Sequence, residues 1–310
     1  MNKKSLDFAK QLAEKDLVSG SIESRSLWAD ARIRFFRNKA SVVSLFIMAL
    51  IALFALFGGM FAQFSNDEIQ WDALGMIAEK GAPSIANGHY FGLDQLGRDL
   101  YARVVQGSQI SLMVALVSTI ISSIIGVALG AIAGFYGGRV DNFIMRIVDI
   151  WYGVPYMLVI IVFMAVIGRS TTNLLIAIAL ISWTSTTIIV RGQVLAIKNR
   201  EFVDAARVMG VSDFRIIMRH ILPNILGIIV INVSLAVPDI IMTESLVSFL
   251  GVGVQEPNTS WGALISEGAA TMQYGTLWML AFPAIIFALT QISLYYIGDG
   301  LRDAFDPKDR

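Results

Sequence analysis

Six long apolar runs, separated by polar stretches, dominate the pattern of this chain. They lie at about 41–61, 109–134, 143–166, 173–194, 225–248 and 276–298. Each is long enough to cross a bilayer as a helix, which takes about 20 apolar residues. The pattern therefore predicts an all-α polytopic membrane protein with six transmembrane helices.

The composition supports a membrane protein and removes several kinds of chemistry. Of the 310 residues, 55% are hydrophobic and 15% are charged, and the mean hydropathy is +0.66, which is too apolar for a soluble domain of this length. The chain has no cysteine, which excludes disulfides, thiol catalysis and thiolate metal sites. Its two histidines, His89 and His220, lie too far apart in the sequence to suggest a metal centre.

Basic residues fall almost entirely on one side of the predicted spans if both termini are cytoplasmic. Nine lie in residues 1–40, two in 139–146, six in or beside 195–224 and three in 301–310, which is 20 of the 24 in the chain. The outer side holds only Lys80, Arg98, Arg103 and Arg169. Cytoplasmic loops of membrane proteins carry the excess of Lys and Arg, so this asymmetry predicts cytoplasmic termini and a cytoplasmic loop at 195–224.

The spans and the polar segments between them divide the chain into four parts. They are a cytoplasmic N-terminal segment (1–40), a first transmembrane helix with an extracytoplasmic insert (41–108), a five-helix core with the cytoplasmic loop 195–224 (109–300) and a cytoplasmic tail (301–310). In the first part, residues 26–39 predict an interfacial helix that Ser26 opens, with Trp28, Ala31 and Phe35 on one face and several arginines directed to anionic membrane lipid. A disordered basic flank is the alternative.

The loop at 195–224 is charged, yet its apolar residues keep helical spacing. One set is Phe202, Ala205, Ala206 and Met209, and a second set is Phe214, Ile217, Met218 and Ile221. Gly210 lies between the two sets, where a helix end needs a left-handed residue. Ser212 is predicted to cap the next helix, with Asp213 in its first turn, and Pro223 is predicted to break that helix from the following span. The loop is therefore predicted to be a short helix, a tight turn and a second short helix.

Two further short motifs have structural interpretations. Gly126, Gly130 and Gly134 recur every four residues in the second predicted span, a spacing that allows a neighbouring helix to approach closely. Outside the membrane, Gly97–Asp99 is predicted to cap the start of the second span rather than to contact substrate. Residues 260–262 (Ser-Trp-Gly) are predicted to shape the outer loop.

Three carboxylates lie inside predicted spans, where an ionisable residue is costly and points to function. Asp239 and Glu244 are candidates for a translocation pathway or a gate. The alternative is that such residues lie near span ends or form hydrogen bonds between helices, and for Asp149 we favour that structural role. No nucleophile, metal-ligand set or phosphate-binding glycine loop followed by Lys and Ser or Thr is present, so the chain itself is predicted to be non-catalytic and to bind neither metal nor ATP.

The 195–224 loop also carries a family motif. Bacterial ABC importer permeases share a cytoplasmic loop that reads E-A-A, three residues, G, nine residues, I-x-L-P, and the matching positions here are Asp204, Ala205, Ala206, Gly210, His220, Leu222 and Pro223. Asp204 replaces Glu and His220 replaces Ile. Residues 26–40, 89–112, 244–268 and 298–310 resemble the peptide-importer branch of this family, and are similar there to C-type permease subunits of oligopeptide permeases.

This resemblance implies a type I ABC importer permease in the bacterial cytoplasmic (inner) membrane that imports oligopeptides and forms half of the pathway. The implied partners are a homologous second permease subunit (a heterodimer), two cytoplasmic ATPases and an extracytoplasmic peptide-binding protein, with no nucleic acid; ATP and Mg²⁺ are used by the ATPases. The loop would be a coupling helix docked on an ATPase. The implied coupling residues are Glu201, Asp204, Ala205, Ala206, Gly210, Leu222 and Pro223.

Two other classes of protein stay open on the residues alone. A proton-coupled secondary transporter is also polytopic and could use Asp239 or Glu244 as its proton site, although it needs no docking loop and usually shows paired broken helices or internal repeats. An intramembrane enzyme needs a convergent catalytic set. The sequence also leaves open whether oligopeptides, dipeptides or other solutes are carried.

Overall fold

Helices make up nearly all regular structure in residues 27–305, the part of the chain that the computed structural model describes. In chain order they are α1 (Leu27–Arg37), α2 (Lys39–Phe57), α3 (Ile77–Lys80), α4 (Leu100–Tyr136), α5 (Gly138–Gly153), α6 (Tyr156–Ile167), α7 (Thr171–Ile197), α8 (Glu201–Val208), α9 (Asp213–Ile216), α10 (Leu222–Phe249), α11 (Trp261–Thr271) and α12 (Trp278–Phe305). Short 3₁₀ turns cover 58–61, 71–73 and 272–274, and a π turn covers Ile217–Ile221. Within the described range, strand pairing is confined to isolated bridges.

Five of these helices are long and apolar enough to cross a membrane. They are α2 with its 3₁₀ extension (Lys39–Phe61), α4, α7, the continuous stretch Asp213–Phe249 and α12. The helices α5 and α6 pass the same test as a pair, which gives up to six spans and confirms the predicted all-α polytopic class. Helices α4 and α12 extend beyond the predicted spans, α4 by nine residues at its start and α12 to Phe305, past the predicted boundary at residue 300.

The third span was predicted as one helix over 143–166, and this prediction is wrong. Helices α5 and α6 meet at an angle of 84°. Between them Val154 has extended backbone (φ −104°, ψ 130°), the geometry that a following proline imposes, and Pro155 then opens α6. Asp149 lies on the exposed face of α5. We call the bend at residues 151–156 the elbow.

The helices α4 and α7 pack together along the predicted glycine ladder. A Cβ added at Gly126 would lie 2.6 Å from the Thr186 Cβ, one at Gly130 would lie 2.6 Å from the Thr187 carbonyl oxygen, and one at Gly134 would lie 2.7 Å from the Val194 Cβ. These distances leave no room for any side chain. The prediction of close helix approach is confirmed.

Residues 62–99 and 250–275 form an irregular layer at the outer end of the helices, which we call the outer cap. Its centre is the fully buried Asp94, which accepts hydrogen bonds from Arg98 Nε (2.7 Å) and Arg103 Nη1 (2.5 Å). Arg103, at the start of α4, also forms a two-bond ion pair with Glu267 of α11 (2.6 and 3.1 Å). Asp99 caps α4 by accepting from the Ala102 N–H (2.8 Å), as predicted for the Gly97–Asp99 motif.

The predicted 260–262 motif also has a structural place in the cap. Ser260 caps α11 by accepting from the Ala263 N–H, and Trp261 is fully buried. Its indole N–H donates to Ser108 of α4 (3.0 Å). The motif therefore joins α11 to α4, in agreement with the prediction that it shapes the outer loop.

At the opposite end of the bundle, α1 packs across the end of α12. Ala31 and Phe35 are buried against Ala304, and the Trp28 ring lies edge-on to Phe305 with ring centroids 5.3 Å apart. The predicted apolar face is therefore confirmed as a contact face. Ser26, the predicted cap, lies outside the described residues.

Candidate coupling and translocation sites

The helix α8 ends in a closed hydrogen-bonded turn at Gly210. The Gly210 N–H donates to the Arg207 carbonyl (2.9 Å) and the Val211 N–H donates to the Ala206 carbonyl (3.1 Å). This pair of bonds is the Schellman arrangement, which requires a left-handed residue at the helix end. Gly210 has φ +75°, so the conformation predicted for it is confirmed. We call residues 201–221 the α8–α9 hairpin.

The second arm of the hairpin runs directly into the following span. Leu222 is helical (φ −56°, ψ −43°), and its N–H donates to the Ile217 carbonyl across the π turn. The predicted break at Pro223 is therefore wrong: a proline in the first turn of a helix is tolerated, and a π turn rearranges the hydrogen bonds that precede it. Ser212 takes the N-cap position of α9 with Asp213 in the first turn, but its side chain forms no capping bond, contrary to the prediction.

The apolar residues of the hairpin divide between a buried face and an exposed face, and each face draws on both of its helical arms. A buried set packs against the ends of α4, α7 and α10, and comprises Val203, Ala206, Ile216, Ile217 and Ile221. An exposed set comprises Phe202, Ala205, Met209, Phe214 and Met218. Met209 and Phe214 are each 73% exposed. The apolar residues predicted at helical spacing are therefore divided between the two faces. The exposed ones offer an apolar surface to another protein.

Charged contacts fasten the hairpin and its neighbours. The Arg207 guanidinium lies 5.4 Å from the centre of the Phe135 ring at the end of α4. The same guanidinium donates to Asp204 (2.9 Å), one helical turn away. Nearby, Arg191 of α7 forms two bonds with Asp141 of α5 (2.5 and 2.6 Å). The hairpin, α4, α7 and α5 are thus linked by consecutive contacts.

The other predicted coupling residues lie at the ends of these elements. Glu201 is exposed in the first turn of α8, where a carboxylate suits the helix dipole. Leu222 and Pro223 open α10, and Pro223 is exposed. His220 lies in the π turn, where its carbonyl accepts a bond from the Asn224 side chain (2.5 Å).

Asp239 lies on α10 and faces two adjoining cavities. The larger cavity, of about 520 Å³, is lined by α6, α7, α10 and the elbow. The smaller, of about 210 Å³, lies between α7 and α10. Both are lined by Ser182, Asp239 and Thr243. The Asp239 carboxylate accepts a hydrogen bond from the Tyr295 hydroxyl of α12 (2.9 Å).

Glu244 has a different environment, although it lies only five residues further along α10. It is fully buried and accepts hydrogen bonds from Ser111 and Ser248 (2.8 Å each) and from Ser245 (3.3 Å). Ser111 in turn accepts a hydrogen bond from the backbone N–H of Trp261 (3.2 Å) in the outer cap. Glu244 lines neither of the two cavities, so its position favours the structural alternative.

Comparison with known proteins identifies the family. The family model for "Binding-protein-dependent transport system inner membrane component" matches residues 126–310. The chain belongs to this family. A second model, "N-terminal TM domain of oligopeptide transport permease C", matches residues 26–77.

Two curated relatives match this permease along its whole length. The oligopeptide transport system permease protein OppC of Haemophilus influenzae is 44% identical over 310 residues, which is 100% of this chain and 97% of that protein. OppC of Escherichia coli K12 is 46% identical, covering 100% of this chain and 99% of that protein. The solved inward-facing MetNI methionine ABC transporter has a TM-score of 0.52 at 16% identity, with 65% of this chain and 96% of that chain covered, and supports the fold.

Family membership decides between the classes that the residues left open. The chain is a non-catalytic permease subunit of an ABC transporter and a multi-pass protein of the bacterial inner membrane. A secondary transporter and an intramembrane enzyme are thereby set aside. A permease of this kind works with ATPases, a second permease and a binding protein.

Sequence reasoning missed three features of these sites. The Arg191–Asp141 pair joins residues 50 positions apart, and the Arg103–Glu267 pair joins residues 164 apart, so neither has a local signal. The third is the aromatic wall at the elbow, formed by Trp151, Tyr152 and Tyr156. The aromatic residues immediately around Pro155 were a signal that could have revealed it.

Proposed function

We propose that this permease carries oligopeptides into the cell and forms one half of a pathway whose other half is a homologous second permease subunit. The degree of similarity supports this substrate class. Among the relatives named for oligopeptide transport, OppC of Haemophilus influenzae and of Escherichia coli K12 are 44% and 46% identical over the whole chain, and OppC of Bacillus subtilis is 40% identical over 94% of it. The DppC dipeptide permease of Bacillus subtilis is 39% identical, and the GsiD glutathione permease of Escherichia coli is 36% identical.

The α8–α9 hairpin is the proposed contact with a cytoplasmic ATPase. Its exposed apolar set, above all Met209 and Phe214, would enter a groove on that partner, and its buried set holds it to the spans. The small Ala205 allows close approach, while Gly210 fixes the turn. Glu201 and Asp204 place negative charge at the exposed start of α8. ATP and Mg²⁺ would be bound by two such ATPases.

The same contacts explain how the ATPases would drive transport. Closure of the ATPases moves the hairpin, and the hairpin continues without a break into α10, because the helix persists from Asp213 to Phe249. Its buried face also contacts α4 and α7. Movement of the hairpin would therefore shift these three helices together and bias the permease between inward- and outward-facing states.

Asp239 would lie along the pathway and Glu244 would not. The cavities at Asp239 open between the helices and carry hydroxyl groups that can bond peptide amides. Glu244 is enclosed by serine hydroxyls and joins α10 to α4 and to the cap. We assign Glu244 to holding the outer end of the bundle together.

Reconstitution tests this function. The permease is placed in proteoliposomes with a second permease and two ATPases from the same organism, and a binding protein is added outside. Peptides of two to five residues and glutathione are compared for ATP-driven uptake. We expect tetra- and pentapeptide uptake that vanadate abolishes and a protonophore leaves intact. Uptake of glutathione or dipeptides alone would contradict the substrate class, and the opposite inhibitor pattern would contradict the ATPase coupling.

A further inference from the structure

Asp239 is an ionisable residue inside a span with no cationic partner among residues 27–305. Its carboxylate accepts one side-chain hydrogen bond, from the neutral Tyr295 hydroxyl, and it forms no ion pair with the described Lys, Arg or His side chains. By contrast, Asp141 is paired with Arg191 and Asp94 with Arg98 and Arg103. A carboxylate at membrane depth is costly unless a cation or a set of donors compensates it.

Apart from its bond with Tyr295, Asp239 borders open space. It borders both cavities between α7 and α10, and the residue itself is exposed. Glu244, on the same helix, shows how this chain compensates a structural carboxylate, because three serine hydroxyls enclose it completely. Asp239 has one donor and an open side, which is the arrangement of a group that meets a transient partner.

The aromatic part of the larger cavity's lining suits a cation. The elbow contributes Trp151, Tyr152 and Tyr156 to its lining. Aromatic faces attract ammonium groups, and a carboxylate beside them adds the countercharge. The hydroxyls of Ser182 and Thr184 line the same space and can accept ammonium hydrogens.

The smaller cavity suits the rest of a peptide. It is lined by Ser185, Thr186 and Asn232 in addition to the residues that it shares with the larger cavity. Hydroxyl and amide groups both donate and accept hydrogen bonds, as backbone amides require. The two cavities therefore share the Asp239 carboxylate, and the smaller one adds neutral polar groups.

We propose that Asp239 is a substrate-contacting residue that receives the primary ammonium group of a peptide as it crosses the membrane, with the elbow aromatics lining the same cavity. The N-terminal α-ammonium is the intended group because every unmodified peptide carries it. This inference rests on the proposed peptide transport. It makes the permease itself, and not only the binding protein, selective for a free N-terminus.

The test compares three probes in the complete reconstituted importer with saturating binding protein. They are tetra-alanine, N-acetyl-tetra-alanine, and an N-acetyl-tetrapeptide whose second residue is lysine. The affinity of the binding protein for each probe is measured separately, and uptake is divided by the amount of peptide that is bound to the binding protein. Because the substitutions are in the permease, any remaining preference of the binding protein cancels in the ratio between variant and parent.

Asp239→Asn keeps the size of the side chain and an acceptor for Tyr295 but removes the charge. We expect it to reduce tetra-alanine uptake about tenfold and N-acetyl-tetra-alanine uptake less than twofold, as loss of one ion-pair partner implies. Asp239→Glu should retain the preference of the parent. The acetylated lysine peptide identifies the source of the ammonium: if it alone responds to Asp239→Asn, the α-ammonium assignment is overturned.

Thr243→Lys gives a second test that leaves Asp239 in place. Thr243 lies one helical turn further on and lines both cavities, so a lysine there can supply a permanent ammonium to Asp239. It should remove the preference for free-amine peptide as Asp239→Asn does. Equal responses of all three probes in both variants would overturn the inference. Failure of the parent to transport any peptide would instead overturn the proposed function.

Discussion

The outer cap and the α8–α9 hairpin lie at opposite ends of the spans, and they are held in opposite ways. The cap is centred on buried charge, with Asp94 between Arg98 and Arg103 and with Glu267 on the far side of Arg103. The hairpin is anchored by buried Val, Ala and Ile side chains, and a glycine turn joins its two arms. Its charged pair, Asp204 with Arg207, is exposed.

The cap and the hairpin differ in their anchoring because the cap buries its charged contacts, whereas the hairpin leaves part of its apolar surface exposed. Buried ion pairs fix geometry strongly because neither partner can separate without leaving an uncompensated charge, so the cap joins segments distant in sequence into one arrangement. The hairpin keeps only half of its apolar residues inside and leaves the other half exposed. One region is therefore built to stay closed, and the other to be completed by another protein.

Removing charge from the centre of the cap should have the largest effect. Arg103→Ala leaves the buried Asp94 and also Glu267 without this partner, and breaking a buried pair costs roughly 3–5 kcal/mol. Denaturant unfolding of the purified assembly, followed by tryptophan fluorescence, measures the loss, since Trp278 donates to the Leu93 carbonyl inside the cap. Arg169→Ala is the control, because Arg169 is exposed and makes one long bond. Equal losses in both variants would contradict the central role of Arg103.

Straining the hairpin turn should come next. Gly210→Val forces a β-branched residue to φ +75° at a site where an added Cβ meets nothing within 4 Å, so we expect backbone strain to dominate the cost of about 1–3 kcal/mol. ATP-driven uptake should fall severalfold while membrane insertion is unchanged. Gly192→Val is a matched control, since its added Cβ is equally unobstructed but its backbone is helical. Gly210→Asn should retain most activity, because asparagine tolerates the left-handed region. Full uptake by Gly210→Val would count against the coupling assignment.

Changing the exposed half of the hairpin should separate docking from folding. Met209→Ser combined with Phe214→Ser removes two highly exposed apolar side chains, so the free energy of unfolding should change by less than about 0.5 kcal/mol. Affinity for the ATPase should weaken about tenfold, as for removal of an interface anchor. Titration of the purified ATPase onto the solubilised permease measures it. Ile85→Ser, at an exposed apolar position of the cap, should leave that affinity unchanged; an equal drop there would show that the effect is nonspecific.

Acid should loosen the rim of the cap slightly. The hydrogen bond from Arg98 lowers the pKa of Glu256 below its ordinary value of 4.5. A lowered folded-state pKa contributes stability above the unfolded pKa, and this contribution is lost as pH falls through the folded pKa. Unfolding midpoints measured from pH 5 down to pH 3 should therefore decline less in Glu256→Gln than in the parent. The difference should be small because Glu256 is 57% exposed, and Glu79→Gln is the control. Identical slopes in Glu256→Gln and the parent would contradict the contribution.

Features with a local signature were predictable from the sequence. Five apolar runs became long helices because length and hydropathy alone select them. The glycine ladder of α4 and the left-handed Gly210 followed from spacing and backbone freedom. The additional nine residues at the start of α4 were missed because Arg103 and Gln106 interrupt the apolar pattern.

Features that depend on tertiary partners were not predictable. Pro155 and Pro223 look alike in the sequence, yet the chain bends by 84° at the first and stays helical through the second, where a π turn precedes the proline. Helical spacing on the hairpin identified apolar positions but not which of them face the bundle. The environments of Asp239 and Glu244 likewise depend on tertiary contacts, since serines from α4 and α10 bond to Glu244 while Asp239 lines two cavities.

The unusual length of α4 has a mechanical consequence. Its 37 residues extend about 55 Å at 1.5 Å per residue, more than the thickness of a bilayer core. One end is locked into the Asp94 charge centre through Arg103, and the other places Phe135 under Arg207 of the hairpin. Because α7 packs too closely on α4 for the two helices to slide freely, α4 and α7 would move as one rigid unit. This unit is attached to the outer cap at one end and to the α8–α9 hairpin at the other. Bending during transport would then fall to the elbow, whose aromatic residues line the same cavity as Asp239.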